Sequence, residues 1–383
     1  MDYREPVKIV VDKEIALTVA DLNKTLIVTN EKNVDFTYCT SLEEVGEKFG
    51  NNTKIYKAVE AFLSQTDGSG NILKPDFFAV MGVEKGGDED AAYATKLKTA
   101  ITEVLDESWY CLITIMDTAK LVEELRSIIV SERRVYIAET GTYPLENADK
   151  AKSERTQLIY NTKASDGEDR EYKSAAYAGA VITPGAGSKC SMVKLSGISA
   201  DVTGGKKQEL TKNNITFIEK RLSDGYIVAN GGRAMDGTYF DETTALDCMI
   251  VNLNEAIQKM LILKGFPQDE EGYTRMEETI TSIMEQLGAK NILAKENGIY
   301  EYKVTPVTQT KEERMARTIK PNVLFRLKGW AYFIDLTLKQ TYDTVNKKIK
   351  ERIKMLQTMF LMLCSYAMGI VSVIIYKALK KNK

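Results

Sequence analysis

The first 140 residues constrain the fold most strongly, because short apolar runs alternate there with helical segments. "KTLIVTN" (24–30), "VDFTYC" (34–39), "DFFAVMGV" (76–83), "WYCLITI" (109–115) and "RRVYIAET" (133–140) are brief and rich in β-branched and aromatic residues, as strands are. "VKIVV" (7–11) reads the same way. Between them lie "SLEEVGEKFG" (41–50), "KIYKAVEAFLSQ" (54–65), a helical pattern from Asp90 to Glu107, and "TAKLVEELRSIIV" (118–130). Their apolar residues recur at helical spacing. Strands alternating with helices of this length predict an α/β (α+β) fold with mixed sheets and packed helices, not a helical bundle.

The second half is more sharply punctuated. The polar stretch 146–156 reads as a linker, and a soft boundary falls near residue 150. "YKSAAYAGAVI" (172–182) predicts a small-residue helix, followed by the loop "TPGAGSKCS" (183–191). Asp236-Gly237 is a two-residue hairpin signal between "GYIVANGGRAM" and "TYFD". Leu246, Met249, Ile250, Leu253, Ile257 and Leu261 give a helix from Thr244. Thr274 with Glu277 has the form of a capping box for the next helix, and Gly288 that of its stop. Asn297-Gly298 marks a second hairpin. Ile334, Leu336 and Leu338 alternate with Asp335, Thr337 and Lys339, the pattern of a half-exposed strand.

Composition narrows the function. Histidine is absent from the 383 residues, which removes Ser-His-Asp and Cys-His catalysis and His-ligated zinc. The five cysteines are scattered without a C-x-x-C pair, a pattern of reduced thiols and not of a disulfide framework or a zinc site. No secretory signal is visible in "MDYREPVKIVV". A net charge of −2 gives the chain no electrostatic reason to seek nucleic acid. The balance is uneven: residues 341–383 carry eight Lys and one Arg against Asp343 and Glu351, so a body of −9 ends in a tail of +7.

Three stretches invite chemistry. "TPGAGSKCS" has glycines, Lys and Ser but lacks phosphate-loop spacing and follows a helix, whereas a phosphate loop follows a strand; "TGGKK" at Thr203 fails likewise. "TDGSGN" (66–71) offers Asp67, Ser69 and Asn71 at calcium-loop spacing, yet Ile72 stands where the sharp turn needs glycine, and Val80 where the glutamate belongs. "GTYFDETTALDCMIVNL" (237–253) packs Asp241, Glu242 and Asp247 together, with Asp236 just upstream. Each acid there has a local structural role. Asp236 suits the turn, Asp241 or Thr244 (with Asp247 as box partner) suits the helix cap, and Glu242 suits the positive end of the helix dipole. The pattern assigns no catalytic, cofactor-binding or metal-ligating residue, and no cofactor. A carboxylate- or metal-dependent enzyme centred on Asp236, Asp241 and Asp247 is the less favoured alternative.

The C-terminus is the physical anomaly. Met355 and Tyr376 bound a run of 22 residues without a charge, flanked on both sides by Lys and Arg. As a helix it would be about 33 Å long, enough to cross a bilayer core. The charges on both flanks give no orientation.

From about Glu171 to Asp343 the order of motifs resembles the contractile tail sheath proteins of myophages and phage-tail-like bacteriocins. The residues that carry this are "REYKSAAYAGAVITPGAGS", "VKLSGISAD", "NNITFIEK", "GGRAMDGTYFDETTALDCMIVNLNEAIQKML", "GFPQDEEGYTRMEETITSIMEQ", "NGIYEYKV" and "LKGWAYFIDLTLK", in that order. The resemblance implies a structural subunit, not an enzyme, that polymerises as a helical tube around an inner tail tube and contracts to drive it through a cell envelope. It implies as partners further copies of the chain, the inner tube protein, and baseplate and tail-terminator proteins. The setting it implies is a virion or phage-tail-like particle assembled in the bacterial cytoplasm. The chain divides into an N-terminal arm (1–20), an N-terminal α/β part (21–150), a sheath-like core (151–330), a C-terminal arm strand (331–343) and a basic, apolar tail (344–383); the tail departs from the family's pattern, which normally ends near the last strand. Subunit-linking arm residues would be Val7, Ile9 and Val11 at one end, and Tyr332, Ile334, Leu336 and Leu338 at the other. The alternative that the tail raises is a membrane-anchored protein with a sheath-like body. If residues 355–376 insert, the full chain enters the membrane fraction and a chain ending at Asp343 stays in solution; equal partitioning of the two removes the anchor.

Overall fold

A computed structural model describes residues 18–332, apart from 116–118, 143–151, 165, 166, 168, 201, 203, 224 and 306–308. Val7, Ile9, Val11, Ile334, Leu336 and Leu338 lie outside the described residues, as does the uncharged run 355–376. Among the described residues, no helix is long and apolar enough to cross a membrane.

The predicted alternation builds one large sheet. Strands β1 (Thr25–Thr29), β2 (Val34–Cys39), β3 (Phe78–Gly82), β4 (Cys111–Thr114), β5 (Val135–Thr140), β6 (Thr156–Tyr160), β7 (Val193–Lys194), β8 (Thr216–Arg221) and β9 (Tyr226–Asn230) align in the order β2-β3-β1-β4-β5-β6-β8-β9-β7. The run from β3 to β8 is parallel, and β2, β9 and β7 add antiparallel edges. The helices interleaved with them are α1 (Leu42–Phe49), α2 (Lys54–Leu63), α3 (Asp90–Glu103), α4 (Ala119–Ser131), α5 (Lys173–Val181) and α6 (Gly204–Lys212). Then follow α7 (Phe240–Leu263), α8 (Glu270–Ala289) and the short α9 (Lys311–Met315). Two small antiparallel pairs complete the body, β10 (Lys295–Glu296) with β11 (Ile299–Tyr300) and β12 (Tyr302–Thr305) with β13 (Asn322–Phe325).

The continuous apolar strands are explained by burial on both faces, as in parallel sheets generally. Ile27, Val80, Ile113, Ile137 and Ile159 pack into one core with α1, α2, α5, α7 and α8. Their neighbours Leu26, Met81, Leu112, Tyr136 and Leu158 pack into a second core with α3, α4 and α6. Successive residues serve opposite cores because side chains alternate across a strand. Two helices of the first half start on side-chain caps: Ser41 accepts from the Glu44 amide, and Thr53 from the Tyr56 amide.

Several punctuation marks in the second half fall elsewhere than predicted. α7 begins at Phe240, four residues before Thr244, after Tyr239, which makes no side-chain cap. Phe240 is fully buried, so packing starts this helix and no cap is needed to do so. "TYFD" is therefore not a strand; the Asp236-Gly237 turn closes on a single bridge between Arg233 and Tyr239. α8 is capped by Asp269, which accepts from the Gly272 amide at 3.1 Å, and Thr274 lies inside the helix. Gly288 does not stop α8 either; it lies within the helix, where a Cβ would run into the Tyr300 ring. Thr156, placed at the end of a linker, starts β6, which pairs with β5. The Asn297-Gly298 hairpin is as predicted, both residues having positive φ, 50° and 88°.

Gly179 shows how closely the layers approach. It sits in α5 where a Cβ would overlap the Phe62 carbonyl of α2. Replacing Gly179 with Ala therefore forces these helices apart, and a loss of about 1–3 kcal/mol is expected from such overpacking. A denaturant midpoint unchanged from wild type would show that the two helices have slack.

Candidate functional site

The acids of "GTYFDETTALDCMIVNL" do not converge. Asp236 stays in its turn, accepting from the Thr238 amide at 2.9 Å and the Thr238 hydroxyl at 3.0 Å. Asp241 and Glu242 lie in the first turn of α7, which suits their charge. Asp241 is not the cap, and Asp247 is not a box partner of Thr244. Thr244 instead receives the Gly187 amide at 3.0 Å and donates to the Asp241 carbonyl at 3.1 Å.

Asp247 points into the protein and is fully buried. Arg155, just before β6, grips it with two donors at 2.6 and 2.8 Å, and the Tyr110 hydroxyl, at the foot of β4, donates at 2.8 Å. Arg133 stands 3.8 Å away. Burial works against the charge on Arg155, but the paired carboxylate outweighs it and holds the guanidinium's pKa above its ordinary value. Burial, and then Asp247, push Tyr110 well up. The cluster is a filled cross-link between α7 and the sheet, with its lone pairs committed to donors. Breaking such a pair by removing one partner costs about 3–5 kcal/mol.

A second buried acid, Glu139 on β5, is held by Arg170 at 3.0 Å and by the Ser174 amide and hydroxyl, each at 3.2 Å. Burial raises its pKa and Arg170 opposes this. Among the described residues no group of three His, Cys, Asp or Glu side chains could hold a metal ion. "TDGSGN" is a turn in which Asp67 accepts the amides of Ser69 and Asn71 at 2.8 and 2.9 Å.

What the acid stretch does build is a seat for the segment that carries Trp330 and Tyr332. The segment after β13 runs along the body and is stitched to it at successive points. The Leu327 backbone bridges Leu293, and the Lys328 amide donates to the Ile292 carbonyl at 2.9 Å. The Lys328 ammonium reaches Asn291 at 3.0 Å. Trp330 donates its indole N–H to the Gly187 carbonyl at 2.9 Å, using the loop that resembled a phosphate loop. The Tyr332 hydroxyl accepts from the Cys190 amide at 3.2 Å and hydrogen-bonds the Asp241 carboxyl; its ring lies 5.5 Å from that of Tyr239. Of the predicted arm residues, Tyr332 is thus placed on the body, against Asp241.

Asp241 is 3% exposed, and its Oδ1 has no hydrogen-bond partner. Burial pushes its pKa up to about 6, with Glu242 adding to the shift; the Tyr332 hydroxyl and its own amide oppose it. Burial likewise raises the Cys190 thiol beside it. The seat therefore holds the Asp241 proton more tightly than water does. Sequence patterns miss Arg155 and Tyr110 because they lie 92 and 137 residues from Asp247; the only local hint was charge and hydroxyl at the edges of apolar strands.

Neither a family model nor a curated protein matches the sequence. Solved structures do match, and they define a class: the described fold is that of contractile-sheath proteins. The helical sheath of the anti-feeding prophage (AFP) in its contracted state has a chain with a TM-score of 0.65 and 19% identity, covering 89% of this chain and 100% of that one. The contracted PVC sheath complex of an extracellular contractile injection system gives 0.64 and 15%, over 90% of this chain and 99% of that one. A sheath tail protein from Listeria innocua gives 0.50 and 8%, over 79% and 95%.

A raised carboxyl pKa fixes the sign of one pH effect. The folded protein holds the Asp241 proton more tightly than the unfolded chain does. Its contribution is full below about pH 4 and is lost as pH rises through about 6. Asp241→Asn should flatten the pH dependence of the denaturant midpoint between pH 4 and 7. An undiminished slope in that variant would place the titration elsewhere.

Proposed function

We propose that this chain is a structural subunit of a contractile sheath, in a phage tail or a phage-tail-like injection particle. The observation that carries the reading is the end-to-end correspondence with the AFP and PVC sheath chains, 100% and 99% of whose lengths are covered. The site supports it. The acids of that stretch are engaged by Arg155, Tyr110, Thr238 and Tyr332, and the seat they help form receives Trp330 and Tyr332.

In this reading Val7, Ile9 and Val11, and Tyr332, Ile334, Leu336 and Leu338, form arms that add strands to neighbouring subunits. Such pairing links subunits by backbone hydrogen bonds while their bodies keep freedom to rotate. A head-to-tail contact that does not close generates a helix of subunits, here around an inner tube and bounded by baseplate and terminator proteins. The particle assembles in the bacterial cytoplasm, and contraction uses a bistable lattice and no cofactor.

Electron microscopy of the purified full chain tests this: striated tubes are expected. Deleting residues 331–343 should leave folded subunits that form no long tubes. Normal tubes from that deletion would refute the arm linkage, and a wild-type chain that never forms tubes would refute the sheath.

A further inference from the structure

The two edges of the nine-stranded sheet differ in chemistry. At one end, β2 and β3 carry an acidic rim: Asp35 on β2, and Glu84, Asp88, Glu89 and Asp90 after β3, are all exposed. Cations nearby are Lys85, bound to Asp90 at 2.5 Å, Lys96, which donates to the Glu84 carbonyl at 2.6 Å, and Lys32, directed to the Lys48 carbonyl. At the other end of the β2–β3 pair is an aromatic cluster, in which Tyr38 stands edge-on to Phe36 at 5.0 Å and to Phe77 at 5.1 Å, with the Lys24 ammonium 4.2 Å over the Phe77 ring. Tyr38 is 41% exposed.

At the other end, β8, β9, β7 and α6 present Lys194, Lys206, Lys207, Lys212, Lys220 and Arg221 against Glu209 and Glu219; Asp224 lies outside the described residues. Glu219 is buried and occupied by Lys207, Arg221 and Asn230. The tip of the β8–β9 hairpin holds the most telling residue. Leu222 is 74% exposed and has φ of +63°. Leucine is a poor choice on both counts: water disfavours its side chain, and the left-handed conformation suits Gly or Asn. Tyr226, 41% exposed, lies next to it under the Lys194 ammonium. The exposed leucine follows Lys220 and Arg221 at one edge, and the exposed tyrosine at the other donates its hydroxyl to Glu107 at 2.8 Å.

We propose that the β8–β9 end of one copy docks on the β2–β3 edge of a second copy, with Leu222 set against the Tyr38 cluster and the lysines against the acidic rim. Opposite edges of one sheet meet head to tail, so the contact can repeat from copy to copy, and it builds a helix where the rotation does not close. This adds a body-to-body contact to the sheath reading, on which the choice of a second copy rests. Opposite surface potentials speed encounter and fix register, and the contact weakens as salt screens it.

The test reverses one edge at a time in the full chain. Lys212→Glu with Lys220→Glu makes both edges acidic; Asp88→Lys with Glu89→Lys makes both basic. All four residues are exposed, so the fold is expected to survive, as circular dichroism will report. In low-salt sedimentation, each variant alone should associate at least about 10-fold more weakly than wild type, since like charges now meet. An equimolar mixture of the two should regain association. Leu222→Gly should keep or raise the denaturant midpoint, because glycine accepts the positive φ, and still weaken association. Variants that associate like wild type, or a mixture that fails to recover, would overturn the contact, as would a wild-type chain that stays monomeric at low salt. Recovery by the mixture without striated tubes from the wild type would strike the sheath reading alone. Tubes from every variant would strike this contact alone.

Discussion

The buried grip of Arg155 and Tyr110 on Asp247 organises the second half of the molecule. It ties α7 to the starts of β6 and β4, and α7 in turn carries Asp241 and Thr244. Thr244 holds the loop of Gly187, and that loop with Asp241 receives Trp330 and Tyr332. The position of the chain's exit is therefore set by an ion pair far inside the body. A bidentate Arg–carboxylate pair suits that role because its two parallel hydrogen bonds fix orientation as well as distance.

The strands and helices of the first half were legible because their signals are local and redundant. Leu26 to Val28 admits little but a strand buried on both faces, and the apolar residues of 41–50 and 54–65 recur at helical spacing. Sheet order was not legible. Nothing in "DFFAVMGV" says that β3 pairs with β1 on the side away from β4, since that depends on which apolar faces meet. The helix boundaries of the second half failed for a related reason. Asp241, Thr243, Thr244 and Asp247 all suit a helix start, and local rules do not say which one is drawn into the interior. Burial of Phe240 and Asp247 decided it.

The acid-rich stretch shows the same limit at the candidate site. Its crowding was readable, and the structural roles expected of Asp236 and Glu242 were close to what the fold uses. The roles expected of Asp241 and Asp247 were local, whereas their actual partners, Tyr332 and Arg155, come from 91 and 92 residues away. The resemblance in motif order was the better guide, because an ordered set of turns and helices across a long chain samples the tertiary arrangement that a single window misses.

The stitched path from Leu327 to Tyr332 has a mechanical meaning. A pull transmitted through Tyr332 away from the body loads the contacts in turn: first the tyrosine, then the Trp330 indole, then the bridge at Leu293. Contacts in such a series peel one after another and never share the load. Each must yield before the next is strained, so the two cores feel little until the strand has been stripped back to β13. Under such a pull the contacts would open in order, from Tyr332 back towards β13.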